Sequence, residues 1–346
     1  MPDIYRYTSP VAPKDATGPV AAAYAQIKDE FLLADGPFMT LSRAPELLVC
    51  VWALLRESEL AGPVPRAERE LVAVAVSAAN TCPFCVDAHT ALGHAGGDHT
   101  AAEAVRAGRR PRDPALAALA DWAAATGDPT PGPRPAPPFP ADHTAAFIGT
   151  ALVTHIINRV TSSLLVERLL PGDLQRSRTV RRVLGAAVRR GPGRPVAPGR
   201  SLELLPATDT APPAWADGPV GTAYAALAGT VASLDVPDTV RARTRDAVAA
   251  WDGRPPALFE DPVGAHADGL DAPDRTAVRL AVLAALSPHR IADADVAAWR
   301  AATGRTADAD LVRLVVLGAF TAADRIQRSL AAAAARRDPA GQPGEA

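Results

Sequence analysis

Residues 70–89 read ELVAVAVSAANTCPFCVDAH and describe two helices joined by a short turn. The run that follows Glu70 is almost wholly apolar, which is typical of a helix buried on all sides. Pro83 suits the first position of a second helix, because its missing N–H is not needed there and its φ is already helical. The sequence therefore predicts that Cys82 stands at the start of the second helix.

On that second helix, Cys82, Cys85 and His89 lie at positions i, i+3 and i+7, within roughly 60° of one another on one face. A thiol at a helix N-terminus feels the positive end of the macrodipole, and a nearby imidazole can accept its proton. Both effects favour a thiolate near neutral pH. The spacing predicts a redox dithiol with its own base, as in a thiol peroxidase or reductase.

Two other interpretations of the same residues remain open. The thiols could be small buried hydrophobic side chains, although two of only three cysteines share this one Cys-x-x-Cys. The third cysteine, Cys50, lies in an apolar helix and is expected in the core. The other alternative is a structural zinc site, whose ligands would be Cys82, Cys85 and His89 with a fourth from Glu70, His94 or His99.

Composition narrows the class of protein. The chain has 346 residues, 48% of them hydrophobic, and a formal net charge of -2. Its length suggests two domains, and its charge gives no reason to expect nucleic acid or a membrane surface as a partner. Three cysteines are too few for a disulfide scaffold, and the N-terminal MPDIYRYTSP carries no apolar signal segment. We expect a cytoplasmic protein with no cofactor and no bound metal.

Apolar residues recur at helical spacing through nearly the whole chain, and alternating strand patterns are absent, so the predicted fold class is all-α. The predicted helices cover residues 20–31, 45–60, 66–79, 101–107, 114–125, 144–169, 178–188, 220–234, 240–251, 274–286, 293–303 and 307–335. Pro- and Gly-rich residues 127–142 and 191–214 are expected to be linkers. Residues 336–346 are expected to be a disordered tail.

The sequence also contains an internal repeat. GPVAAAYAQI at 18–27 recurs as GPVGTAYAAL at 218–227, and Glu68-Arg69 recurs as Asp274-Arg275 before another apolar helix. In this register Glu70, Cys82, Cys85 and His89 fall opposite Thr276, Pro288, Ile291 and Asp295. We therefore predict a duplicated helical bundle with a degenerate second copy. Its expected parts are a cysteine-bearing domain at 1–126, additional core helices at 143–190 and the second copy at 215–335.

Glu70, eleven residues, and then Cys82-x-x-Cys85-x-x-x-His89 resembles the signature of the carboxymuconolactone decarboxylase/AhpD-like superfamily, in its alkylhydroperoxidase branch. The resemblance covers residues 40–110 and implies an all-α bundle that forms homo-oligomers. It also implies a peroxidase that reduces hydroperoxides and is recycled by an external dithiol reductant. The first domain would then be the AhpD-like catalytic domain.

By the same resemblance, Cys85 is the peroxidatic cysteine, and Cys82 is its proton donor and resolving partner. His89 and Glu70 form the proton relay. We expect a Cys85 thiol pKa below the ordinary value of about 8.5. The chain departs from the best-characterised members at Phe84, where they carry a second histidine, which makes the expected pocket entrance more apolar. The alternative functions are a helical scaffold or redox sensor that retains the dithiol, and a zinc-stabilised module.

Overall fold

The computed structural model describes residues 4–31, 36–94, 99–128, 135–166, 174, 177–190 and 196–335. Within these ranges the regular structure is helical. The strand-like pairings there are two isolated bridges, Tyr5 with Leu165 and Ala61 with Val196. The predicted all-α fold class is confirmed.

The α-helices of the described ranges begin and end close to the predicted residues. They are α1 (Gly18–Glu30), α2 (Pro37–Leu41), α3 (Pro45–Leu55), α4 (Arg66–Ala79), α5 (Pro83–Gly93), α6 (Thr100–Arg106), α7 (Pro114–Ala125), α8 (Thr144–Leu164), α9 (Arg178–Arg190), α10 (Gly218–Ala232), α11 (Asp238–Ala250), α12 (Ala272–Leu286), α13 (Asp293–Thr303) and α14 (Asp308–Ala335). None of them is both long enough and apolar enough to cross a membrane.

Two helix ends differ from the predictions. The predicted helix 45–60 is α-helical only to Leu55 and continues as one π-helical turn, Arg56–Leu60. The predicted helix 144–169 ends at Leu164, because Leu165 turns extended and pairs with Tyr5. Residues 167–169 lie outside the described ranges. The apolar periodicity continues through both ends, and tertiary contacts decide where the helix stops.

Helices α4 and α8 form the centre of the N-terminal half. Helix α4 packs against α5, α6, α7 and α8, while α8 also packs against α3 and, across the chain, against α14. Their inward side chains are fully shielded, as the apolar runs predict. One hydrophobic cluster continues from these helices into α10, α12 and α14. The two halves therefore share a core.

Polar contacts also join the halves. Arg159 of α8 donates from Nε to the carbonyl of Ala285 at 2.8 Å. Cys50 is fully buried, as expected, with its Sγ 3.4 Å from Thr230 Oγ1 of α10. In the predicted linker 191–214, residues Arg200–Leu204 form a short 3₁₀ helix, and buried Ser201 donates to Glu57 at 2.6 Å. Residues 191–195 and the predicted tail 336–346 lie outside the described ranges.

Candidate active site

The turn between α4 and α5 sets the position of Cys82. Thr81 adopts the left-handed backbone conformation with φ of 52°. The N–H of Thr81 donates to the carbonyl of Ala78, and the N–H of Cys82 donates to that of Ser77. This is the Schellman arrangement that ends many helices, here with threonine at the position where glycine is usual. Cys82 is thereby the N-cap residue of α5 and Pro83 its first residue, so the predicted helix start is confirmed.

A buried acid–base cluster lies between α4, α5 and the π-helical turn. His89 Nδ1 is 2.9 Å from Glu70 Oε2 and 3.4 Å from Glu59 Oε1. The other oxygen of Glu70 accepts from Arg66 Nε at 3.0 Å. The side chains of both glutamates are fully shielded from solvent, and that of His89 is 7% exposed. Neither carboxylate oxygen of Glu59 has a hydrogen-bond partner among the described residues.

The cluster shifts the protonation of its members. Burial alone lowers the pKa of His89, but the carboxylates of Glu59 and Glu70 outweigh burial and raise it to about 10. Burial and the neighbouring Glu70 charge raise the pKa of Glu59. Burial also acts to raise the pKa of Glu70, yet its hydrogen bonds and charge interactions with His89 and Arg66 lower it. His89 therefore holds a proton at neutral pH, and Glu59 is the carboxyl of the cluster that most readily takes up another.

The two thiols are reduced, buried and in contact with Phe84 and Leu165. Burial opposes ionisation of Cys82, but hydrogen bonding from the side chain and backbone of Cys85 and from Ser162, together with the charge of His89, lowers its pKa. Burial and the adjacent Cys82 raise the pKa of Cys85 well above its ordinary value.

The expectation of a lowered Cys85 pKa is therefore wrong for the resting pair. Two negative charges on adjacent sulfurs repel each other, so the pair retains one proton when it first ionises. The lower pKa of the two belongs to Cys82, which stands at the helix N-terminus and receives a hydrogen bond from Ser162. His89 acts on Cys82 through its positive charge, while its Nδ1 faces the carboxylates.

A cavity of about 320 Å³ opens beside Cys82. Cys85 is not among the lining residues, but it interacts with Cys82 and Thr161, which both are. The lining comes from the N-terminal segment, the start of α5, the end of α8 and the 3₁₀ helix Pro288–Arg290 of the C-terminal half. It consists of Arg6, Thr81, Cys82, Pro83, Phe84, Thr161, Ser162, Leu165, Val166 and His289.

The structure brings together all four residues singled out from the sequence. Glu70 and His89 are in direct contact, and His89 interacts electrostatically with Cys82 beside Cys85. Sequence reasoning missed Glu59. A signal for it exists, because the run RESEL at 56–60 follows a wholly apolar helix, and charged residues in such a place need buried partners.

The zinc arrangement considered from the sequence does not form. Among the described residues, the group whose ligand atoms all lie within 4.8 Å of one another is Glu59, Glu70 and His89, which includes neither thiol. His94 instead meets Glu103, with Nε2 and Oε1 2.9 Å apart. Within the described part of the chain, this carboxylate–imidazole cluster is the group of side chains that could bind a metal ion.

Comparison with known proteins identifies the family of the chain. The model of the carboxymuconolactone decarboxylase family matches residues 50–129, a range that contains both glutamates, both thiols and His89. A protein of Mycobacterium tuberculosis named alkyl hydroperoxide reductase is 39% identical to this chain over 345 residues, which is 97% of this chain and 98% of that protein. No solved structure matches the chain. The chain belongs to the carboxymuconolactone decarboxylase/AhpD-like superfamily and is an AhpD-like enzyme.

Proposed function

We propose that this member of the carboxymuconolactone decarboxylase/AhpD-like superfamily is a thiol-dependent peroxidase that reduces hydroperoxides through the dithiol of Cys82 and Cys85. The observation that carries the proposal is the buried, protonated imidazole of His89 held between two carboxylates, with its charge acting on Cys82. The name of the similar mycobacterial protein supports a hydroperoxide as substrate.

The reactive form of the site carries a thiolate on Cys82 and an imidazolium on His89. Cys82 accepts the proton of the Cys85 thiol, and the Cys85 thiolate attacks the terminal oxygen of the peroxide. The O–O bond breaks, Cys85 becomes a sulfenic acid, and the leaving alkoxide takes the proton from Cys82 to form an alcohol. This order keeps Cys85 as the peroxidatic residue and makes Cys82 first its base and then the proton donor to the leaving alkoxide.

The second step forms the disulfide. The Cys82 thiolate attacks the Cys85 sulfur, the S–O bond breaks, and hydroxide leaves as water with the proton that His89 held. The sum is one hydroperoxide and one dithiol converted to one alcohol, one water and one disulfide. An external dithiol reductant then returns the disulfide to the reduced pair by exchange.

Glu70 and Glu59 have different tasks in this proposal. Glu70 is hydrogen bonded to His89 and neutralised by Arg66, so it fixes the ring and stabilises its charge. Glu59 lies 3.4 Å from His89 and has a raised pKa, so it is the carboxyl through which a proton returns to His89 after each turnover. Both act on the thiols through His89 and are positioning residues.

The proposal extends to the setting of the enzyme. We infer a cytoplasmic location, because a Cys-x-x-Cys pair without other disulfide candidates suits a reducing compartment. The resemblance to the superfamily implies a homo-oligomer. The predicted duplication accords with the order of helices α10 to α14, in which α12 packs against α13 and α14 much as α4 packs against α5 and α8.

The deciding experiment treats the reduced protein with cumene hydroperoxide and follows free thiols, alcohol formation and repeated turnover with dithiothreitol. Wild type and Cys50→Ser should lose two thiols per turn and recycle, whereas Cys85→Ser should do neither. Cys82→Ser should accumulate sulfenic acid on Cys85, trapped by dimedone. Oxidation without turnover by any reductant would indicate a redox sensor, and no oxidation at all would indicate a scaffold.

A further inference from the structure

The cavity beside Cys82 has two chemically distinct parts. Pro83, Phe84, Leu165 and Val166 give one wall an apolar character. The basic residues of the lining are Arg6 and the exposed His289. A volume of about 320 Å³ lies at the small end of the range for ligand pockets, about 300–1,000 Å³. The cavity therefore suits a compact ligand with one apolar and one polar end.

The hydrogen bonds of Arg6 go to neutral groups, a carbonyl and a hydroxyl. One of its terminal nitrogens donates to the carbonyl of Ile291 at 2.8 Å and to the hydroxyl of Tyr7. The guanidinium also lies over the Tyr7 ring, 4.7 Å from the ring centroid. Within the described part of the chain, Arg6 takes part in no ion pair with a carboxylate at 4.0 Å or less, unlike Arg66 and Arg106 around the same helices.

The contacts of Arg6 also hold the guanidinium in place. The carbonyl that accepts from it belongs to Ile291, which directly follows the 3₁₀ helix carrying His289. Arg290, which lies between His289 and Ile291, is itself fixed because it donates to the carbonyls of Pro256, Ala257 and Glu260. A fixed guanidinium with unused donors binds a carboxylate with little loss of side-chain freedom.

We propose that the enzyme prefers hydroperoxides that carry a carboxylate, with Arg6 binding the carboxylate and the Phe84–Leu165 wall holding the hydrocarbon. The inference rests on the proposed peroxidase function and specifies its substrate class. The C-terminal half, which has no cysteine of its own, supplies His289 and the Ile291 carbonyl to this site. The peroxide group then lies on the side of the cavity formed by Cys82.

The test compares three oxidants of nearly equal size: cumene hydroperoxide, its para-carboxylate derivative and the methyl ester of that derivative. The readout is the second-order rate of thiol loss in a single turnover, which needs no reductant. Wild type should react about tenfold faster with the carboxylate than with the ester, since a charge-assisted hydrogen bond contributes on that scale. The preference should shrink as salt is raised.

Variants separate binding of the carboxylate from support of the fold. Arg6→Gln should abolish the acid-over-ester ratio, and Arg6→Lys should keep part of it. Arg43→Gln is the matched control, because exposed Arg43 also holds the N-terminal segment through a backbone carbonyl, that of Ser9, but is not a lining residue. A ratio near one in wild type, or a ratio unchanged in Arg6→Gln, would overturn the proposal.

A second measurement works even if no peroxide is reduced. Para-isopropylbenzoate, which has the carboxylate and no peroxide, should slow alkylation of Cys82 by iodoacetamide in wild type and not in Arg6→Gln. Its methyl ester should protect weakly in both. Protection without any peroxide reduction would support the carboxylate site and contradict the peroxidase function. Absence of protection in wild type would contradict the carboxylate site.

Discussion

Both halves of the chain join two consecutive helices by a charged pair, but the two pairs differ in their exposure to water. Between α4 and α5, Glu70 meets His89 at 2.9 Å with side-chain exposures of 0% and 7%. Between α12 and α13, Arg279 meets Asp295 at 2.6 Å, and 42% of the Arg279 side chain is exposed. In the predicted repeat register, Asp295 stands where His89 stands in the first copy.

The difference shows how burial turns a structural contact into a reactive one. A half-exposed ion pair is screened by water and contributes little beyond holding two helices together. In the buried N-terminal pair, two carboxylates, those of Glu59 and Glu70, act on His89 and raise its pKa to about 10. We infer that the C-terminal pair serves packing and the N-terminal pair serves chemistry.

Removing the buried imidazole should have the largest effect. His89→Gln takes away the positive charge that favours the Cys82 thiolate, so the rate of oxidation by cumene hydroperoxide should fall about a hundredfold or more. The pKa of Cys82, measured from the pH dependence of alkylation, should rise at the same time. Glu70→Gln should change both quantities in the same direction, and an unchanged alkylation curve in both variants would contradict the relay.

Glu59→Gln should have a smaller effect on the same rate, about tenfold, and a distinctive dependence on pH. The variant keeps the Glu70 contact but loses the negative charge of Glu59, so the pKa of His89 should fall and activity should decline at lower pH than in wild type. Asp87→Asn is the control, since Asp87 is a buried acid of the same helix pair that is bound by Arg106 instead. Equal pH profiles for Glu59→Gln and wild type would remove Glu59 from the relay.

The two pairs should also differ in how stability depends on pH. The pKa of His89 is raised to about 10 in the folded protein from an unfolded value of about 6.5. Its contribution is therefore complete below about pH 6.5 and is lost as pH rises to about 10. Urea unfolding of the reduced protein should show this decline in wild type and in Arg279→Gln, but a flatter profile in His89→Gln. A wild-type curve without the decline would contradict the raised pKa.

Local patterns were sufficient for most of the helices and for the start of the helix that carries Cys85 and His89, whereas Glu70 was singled out by the family resemblance. The bounds predicted for α4, α7 and α13 agree with the structure. In each helix the apolar periodicity begins at or directly after a proline or an acidic residue. The ends of α3 and α8 differ, because a π-helical turn and the pairing of Tyr5 with Leu165 depend on tertiary contacts.

Arg6 and His289 could not be predicted as parts of the site for the same reason, and the sequence signal for Glu59 does not say which residues it contacts. Arg6 lies 285 residues before the carbonyl to which it donates, and no local pattern relates two such positions. Glu59 precedes Glu70 in the chain without a helical spacing between them, because the π-helical turn and residues 61–65 intervene. The protonation of the two thiols was also out of reach, since it depends on Ser162 of α8.

The smallest effect is expected at the C-terminal pair, and it tests the comparison from the other side. Asp295→Asn removes the partner of Arg279 and weakens the contact of the Ala292 N–H with the carboxylate at the start of α13. We expect a loss of about 1 kcal/mol or less in the free energy of unfolding, because the Arg279 side chain of the pair is 42% exposed. The rate of oxidation and the alkylation curve of Cys82 should match wild type. A change in either one would mean that the C-terminal pair reaches the dithiol, and that burial alone does not separate the reactive half from the inert one.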